Sequence, residues 1–374
     1  MKAQGIQLLS NAGIFGPVIV IPLILQEDLD ASDTVIGIVV GAFAGASFAS
    51  SYIFGRASDI YGRRRILQAG LLLSGIALML QVLTLSWDDL IIFSIVRVLV
   101  GFCGGMFPAA LLAYAFDTSS TRMGRFAAFG SAGWFVGNMS VAILGSEYAI
   151  SFTVCAAMLF VSYGVALMLP PRKDTRMEVP LFPRALIKRN MPVYLAMLIR
   201  HTGANMIWVT YPLFLTSLGA PIFWIGVIYS VNALGQVLFM TISDRYDAAM
   251  IVAIGLAASS LTFSTFLLAD DYWQIIPSQV ILAFAWSFLY AGSLRYVMEK
   301  NKEKATAAGL LSGTMSISGI VGPVLGGMSA TIVGFKGTIE IATVMSAFAL
   351  AMFLFELRRS GEFYRLRARS RGLL

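Results

Sequence analysis

Arg97, Trp134, Asn138, Arg200, His201, Asn205, Asn232, Gln236, Trp286 and Tyr290 fall within long apolar runs, and they are the residues of this chain that could do chemistry. A polar side chain in such a run normally faces another polar group or a water-filled cavity. Arginine would pair with an anion through its fork of donors, tryptophan and tyrosine would stack on a planar or cationic group, and the amides would hydrogen-bond a solute or a neighbouring helix. At about 1.5 Å per helical residue, His201 lies about 15 Å into its run, with Asn205 and Trp208 following on the same face. Asn138 lies about 18 Å into its own, one turn after Trp134, and Gln236 is about as deep behind Asn232. Trp286 and Tyr290 form another one-turn pair. These four faces are expected to meet around one aqueous cavity. Each residue also has a plain structural reading: aromatic rings fill helix interfaces, amides join helices, and arginines bond backbone carbonyls. His201 is either a proton relay or a neutral hydrogen-bonding group.

Other chemistries find no support. His201 is the sole histidine, and Cys103 and Cys155 lack metal-ligand spacing, so no metal is expected. No Gly-rich loop ending in Lys-Ser or Lys-Thr occurs, so neither nucleotide use nor catalysis is indicated and no cofactor is expected. The net charge of +7 has no soluble, aromatic-interleaved basic domain to carry nucleic-acid binding. Asp and Glu are missing from the middle of every apolar run, with Glu147 and Glu340 lying toward the ends.

The elements that must position these residues follow from composition. Of 374 residues, 58% are hydrophobic and 13% charged, which marks a multi-pass membrane protein whose partner is the lipid bilayer. Runs long enough to span lie at about 6–25, 34–53, 66–86, 90–112, 126–146, 150–170, 191–217, 224–243, 250–269, 275–294, 306–332 and 338–357. The predicted class is an all-α membrane protein with twelve transmembrane helices in two pseudo-symmetric six-helix bundles. Of the 27 Lys and Arg, all but Arg97, Arg200 and Lys336 fall in the tails and in alternate loops. The positive-inside rule then places both termini in the cytosol. Glu27, Asp28, Asp30, Asp33, Asp88, Asp89, Asp270 and Asp271 gather in the opposite turns. The first run has only Lys2 before it and no small-residue cleavage pattern after it, so it reads as a permanent helix. The expected domains are a first bundle over 1–170, a proline-containing cytosolic linker over 171–190, a second bundle over 191–357 and a basic tail over 358–374.

Between the second and third runs stands GRASDIYGRRR: Gly55, Asp59, Gly62, Arg63, Arg64 and Arg65 make a charged, glycine-punctuated turn that no hydrocarbon core would tolerate. A displacement of 185 residues brings Asp59 onto Asp244, beside Arg245, and Gly137-Asn138 onto Gly322-Pro323, which favours an internal duplication. The GRASDIYGRRR segment resembles the loop between helices 2 and 3 of the major facilitator superfamily, and Arg97 with Gly101 and Gly105 resembles the buried-arginine motif of its helix 4. The resemblance covers nearly the whole chain. It implies secondary transport of a small molecule by alternating access, with the substrate site near the midplane. It also implies that Asp59 faces the start of helix 11 as a gating carboxylate, with Asp117 then the partner for Arg63 or Arg64. Gly322 and its neighbouring glycines read as close packing, and Pro323, which removes a backbone hydrogen bond, as a bend that flexes during gating.

The expected function is a secondary transporter of the cell membrane, a monomer, preferentially exporting amphipathic compounds. Uptake or exchange of a small organic anion is the alternative, motivated by Arg97 and Arg200. A non-transporting sensor or scaffold is the alternative of another class. Coupling to a proton gradient would use Glu147, His201 or Asp117; sodium coupling and uniport remain open. The charge bias makes a direct prediction. In a cysteine-free background, single cysteines at Asp88 and Asp271 should react with an impermeant thiol reagent from outside the cell while one at Lys173 stays protected; the reverse pattern would invert the topology.

Overall fold

The computed structural model describes residues 2–118, 123–170, 184–243, 246–301 and 304–359. Among them the chain is helical almost throughout and contains no strand. In order the helices are α1 (Lys2–Phe15), α2 (Ile21–Leu23), α3 (Asp33–Tyr61), α4 (Arg63–Thr84), α5 (Leu90–Gly105), α6 (Pro108–Thr118) and α7 (Met123–Leu144). There follow α8 (Tyr148–Leu167), α9 (Arg184–Ser217), α10 (Ile222–Ser243), α11 (Ala248–Leu267), α12 (Ile275–Lys300) and α13 (Lys304–Arg359). All twelve expected runs fall on helical stretches, and nine stretches among the described residues are long and apolar enough to cross a membrane. Large apolar side chains such as Ile91, Ile143, Leu238, Leu268 and Ile332 face outward, as a lipid-facing surface requires.

Local chemistry explains where the helices depart from expectation. The first run is not one regular helix: α1 stops at Phe15, a tight turn spans Gly16–Ile19, and a wide turn closes Ile24–Asp28. Pro17 and Pro22 have no backbone N–H to donate, so each removes one bond from the ladder where the helix is already irregular. The fourth run likewise breaks at Met106 and Phe107, with Pro108 opening α6. Helix α9 begins at Arg184, inside the expected linker, whose residues 171–183 lie outside the described ones. Within α13 the backbone is non-helical at Gly334 (φ 74°) while the helix continues through Pro323, so the last two runs are joined by a single-residue break. The tail begins with Arg358 and Arg359 completing α13, and 360–374 are outside the description. Several acidic turn residues serve as caps: Asp89 accepts from the N–H groups of Ile91 and Ile92 (2.8 and 2.9 Å), Asp247 from Ala249, and Asp271 from Trp273.

The chain forms two compact units, one of Met1–Glu178 with Val209–Leu234, the other of Val179–Trp208 with Gly235–Leu374. The division differs from the expected cut near residues 170 and 191. In the first unit Gly226 of α10 meets Ala142 and the Asn138 carbonyl of α7, which ties that part of α10 to the N-terminal helices. Other glycines there let backbones touch: a Cβ at Gly137 would sit 2.5 Å from the Ala12 carbonyl oxygen, and Gly101 and Gly105 of α5 face the carbonyls of Phe43 and Ser47 in α3. The core of the second unit joins Tyr194 and Met197 of α9, Val252 and Leu256 of α11, Leu289 and Tyr296 of α12, and Phe353 of α13. Gly322 there meets Asn205 and the Thr202 carbonyl across the α9–α13 crossing. Gly137 meets Ala12 of α1 just as Gly322 meets Thr202 and Asn205 of α9, so the two glycines that the 185-residue offset aligns contact corresponding helices, although the offset places Ala12 on Met197.

These approaches predict a steep asymmetry. Gly105→Leu would drive a side chain into the Ser47 carbonyl and should cost about 1–3 kcal/mol or prevent folding. Gly164→Leu, where a Cβ meets nothing within 4 Å, should leave thermal stability in detergent unchanged. Equal melting of the two variants would refute the close α3–α5 contact.

Candidate functional site

The charged turn is tighter than its sequence suggests. Helix α3 runs through to Tyr61, with the Ser58 hydroxyl donating to the Gly55 carbonyl (2.7 Å), and the turn itself is Gly62 alone (φ 97°). A left-handed φ of that size is readily adopted only by glycine. Arg63 donates to the carbonyl of Ala113 in the last turns of α6 (3.4 Å), and Arg64 to that of Leu167 at the end of α8 (2.7 Å). Both cations thus sit where helix dipoles present negative charge. Arg65 is exposed. The side chains of Asp59 and Asp117 lie outside the described residues, as do Asp244 and Arg245 altogether. Ala113 is one turn before Asp117 on α6.

In the first unit the buried polar residues are scattered over helix crossings. The Arg97 guanidinium lies 4.2 Å from the ring centroid of Phe43, with Nη1 making no hydrogen bond among the described residues, so the cation rests on an aromatic face at the α3–α5 crossing. Trp134 stacks on Phe15 at 4.5 Å, beside the point where α1 ends. Asn138, 1% exposed, has neither amide atom bonded among the described residues, and Asn232 is buried on α10. Gln7 and Asn11, one turn apart on α1, both approach Gly130 of α7.

The second unit assembles a more ordered group. The His201 ring stacks on Trp286 at 5.0 Å with 21° between planes, and Trp286 stacks on Tyr290 at 5.4 Å and 16°. All three remain partly exposed. Arg200, 2% exposed, donates from Nε to the Ser259 hydroxyl (2.9 Å) and stands 5.4 Å from the Phe263 ring and 5.5 Å from Trp286. Asn205 turns back to its own helix, donating to the His201 carbonyl (2.9 Å), and the carbonyl of Gln236 accepts from Ser287. The structure therefore brings Arg200, His201, Trp286 and Tyr290 into one stack with Asn205 a turn away. Among the described residues no three of His, Cys, Asp and Glu gather as metal ligands.

A family model, the Major Facilitator Superfamily, matches residues 5–190 and 193–369. The chain belongs to this superfamily. Solved structures agree on the fold. A variant of the nucleoside transporter NupG superimposes with a TM-score of 0.78 at 15% identity, covering 95% of this chain and 99% of that one. Unmodified NupG gives 0.72 at 14% identity, covering 95% and 98%. A bacterial homolog of the human lysosomal transporter Spinster, in an inward-facing and occupied conformation, gives 0.75 at 14% identity, covering 96% of each chain. No curated protein matches in sequence. Superfamily membership makes the chain a multi-pass membrane protein with a transporter fold rather than an enzyme fold.

Sequence reasoning missed the residues that complete each contact. Phe43 and Phe15 carried no polar signal among so many apolar residues, and Ser259 looked like any of the serines that back-bond within helices. The Gln7 and Asn11 pair did have a signal, two amides at helical spacing in an apolar run. The Arg200–Ser259 bond gives a test. Ser259→Ala removes the acceptor from a buried cation and should lower stability by about 1–2 kcal/mol, measured by thermal unfolding of the purified protein, with Ser259→Thr retaining it. Unchanged melting of the alanine variant would show that the rings alone hold Arg200.

Proposed function

We propose that this protein is a secondary transporter that moves a small molecule across the cell membrane by alternating access, and that its substrates are amphipathic compounds with a planar apolar part, carried outward. The observation that carries this reading is the stack of His201, Trp286 and Tyr290, three nearly parallel rings that keep part of their surface open. Stacking on such a surface recognises planarity and apolar area more than any one functional group. A nucleoside transporter among the structural neighbours is in keeping with a planar ring system as cargo. Arg200 is drawn toward Ser259 and two ring faces, which suits an orienting role behind Trp286. Within this reading Asp59, Asp117, Gly322 and Pro323 serve gating, both termini are cytosolic, and the protein acts as a monomer driven by an ion gradient.

A second reading, uptake or exchange of a small organic anion, draws on a different observation. Nη1 of Arg97 and Nη2 of Arg200 make no hydrogen bond among the described residues, which leaves donor capacity for a carboxylate or phosphate.

Calorimetric binding to the purified protein separates the two. Trp286→Ala and Tyr290→Ala should each weaken binding of planar amphipathic compounds about two- to tenfold and alter their rank order. Arg200→Gln should leave that rank order alone. Steep loss of anion binding in Arg200→Gln, with the aromatic variants unchanged, would favour the anion reading instead. Asp59→Asn should slow transport in proteoliposomes while the protein still folds and binds, because it removes a charge that biases one conformational state over another. Wild-type transport by that variant would reduce Asp59 to a surface residue.

A further inference from the structure

A cleft of about 540 Å³ opens in the second unit, away from the aromatic stack, between the first turns of α9 and the last turns of α12 and α13. Its walls divide by chemistry. Lys188, Arg189 and Lys300 supply cations, while Met191, Leu195 and Met352 supply an apolar floor. Both helix ends change character at this level: α9 turns apolar from Met191 onward, and α13 gives way after Leu357 to Arg358 and Arg359. The cleft therefore straddles the boundary between hydrocarbon and headgroup at the basic end of these helices.

Two of the cations are positioned by contacts with the fold. Arg189 is fixed by the Asn301 side-chain oxygen (3.2 Å), and Lys300 lies over the Tyr296 ring at 3.9 Å while bonding its hydroxyl. Lys188 is exposed and forms no ion pair among the described residues. The lining carboxylate, Glu356, is paired with Arg359 at 3.4 Å. The basic end of the first unit is arranged differently. Lys2 and Arg64 there donate to the Met168 and Leu167 carbonyls that end α8, and so cap a helix instead of lining a cleft.

From this geometry we infer that the cleft is a binding site for an anionic phospholipid of the inner leaflet, its phosphate held among Lys188, Arg189 and Lys300 and its acyl chains lying on Met191, Leu195 and Met352. A phosphate needs the cations, and an acyl chain needs the exposed apolar floor continuous with the lipid-facing surface; only a lipid uses both. The site is independent of the transported substrate, so its test does not depend on the substrate's identity.

The delipidated full chain in a neutral detergent, titrated with dioleoyl phosphatidylglycerol, dioleoyl phosphatidylcholine or inorganic phosphate, tests this through lipid retention in native mass spectrometry and the melting temperature. Phosphatidylglycerol should be retained and raise the melting temperature, phosphatidylcholine should bind at least tenfold more weakly, and inorganic phosphate should shift nothing. Lys188→Gln and Lys300→Gln should each weaken phosphatidylglycerol about fivefold, whereas Lys188→Arg keeps it. Glu356→Gln, which adds no bulk, should tighten it by a similar factor and so serves if the lysine variants do not fold. Equal retention of the two lipids, a phosphate shift as large as the lipid's, or affinity unmoved in both the lysine and the Glu356 variants would overturn the proposal.

Discussion

Inside hydrocarbon no water is available to satisfy a peptide group, and the rest of this structure follows from that constraint. Each span must be helical, and helices already surrounded by apolar lipid gain little from hiding apolar side chains against one another. Attraction has to come from contact at short range. This is why glycine sits where α5 crosses α3, where α7 crosses α1 and where α13 crosses α9, with a neighbour's carbonyl where a Cβ would stand. Serine hydroxyls obey the same constraint by donating to carbonyls one turn back, as Ser74 does to Gly70 and Ser259 to Gly255.

Charge within the spans is handled with the same economy. Arg97 and Arg200 have no carboxylate within their described contacts, and each is instead set against aromatic faces, Phe43 for one and Phe263 with Trp286 for the other. The ring quadrupole attracts a cation without introducing a second ion that would itself have to be desolvated. For Arg200 this choice has a structural consequence: the guanidinium that is bonded to Ser259 also abuts Trp286, so a contact between α9 and α11 orients a ring on α12, on which His201 and Tyr290 stack. At the helix ends the solution is different, since carbonyls left over by the helix are available there, and Arg64 donates directly to that of Leu167, the last residue of α8.

How much of this was legible depended on whether a feature was local. Hydropathy over about 20 residues located every helical stretch, and GRASDIYGRRR announced a turn, because both are properties of contiguous sequence. The internal breaks at Pro17 and Pro108 were written in the sequence too, but proline is tolerated inside α9 and α13, so its presence does not by itself say that a span is interrupted. Gly62 and Gly334 illustrate the same limit. Both adopt positive φ, while Gly137 and Gly322, equally plain in the sequence, are helical and matter for what stands opposite them. Of the candidate site, the one-turn pair Trp286 and Tyr290 could be read from spacing. Their assembly with His201 required the crossing of α9 and α12, and Ser259 and Phe263 entered through a third helix on which nothing drew attention to them.

A stack held in this way bears on how substrates can be distinguished. Ring faces are nearly indifferent to the substituents of a planar guest, so a substrate bound on His201, Trp286 and Tyr290, as proposed above, would be one of a family of compounds. On that reading selectivity must come from polar groups placed around the rings, and the buried His201 Nδ1, without a hydrogen-bond partner among the described residues, is one of these on the stack itself. Asn205, one turn away, is already committed to the His201 carbonyl and to the contact with Gly322. On the proposed reading, a guest polar group reaching the Asn205 amide would have to compete with a bond made within α9. The same residue stands against Gly322 at the α9–α13 crossing, so a guest held there in the proposed way would lie beside a close helix contact.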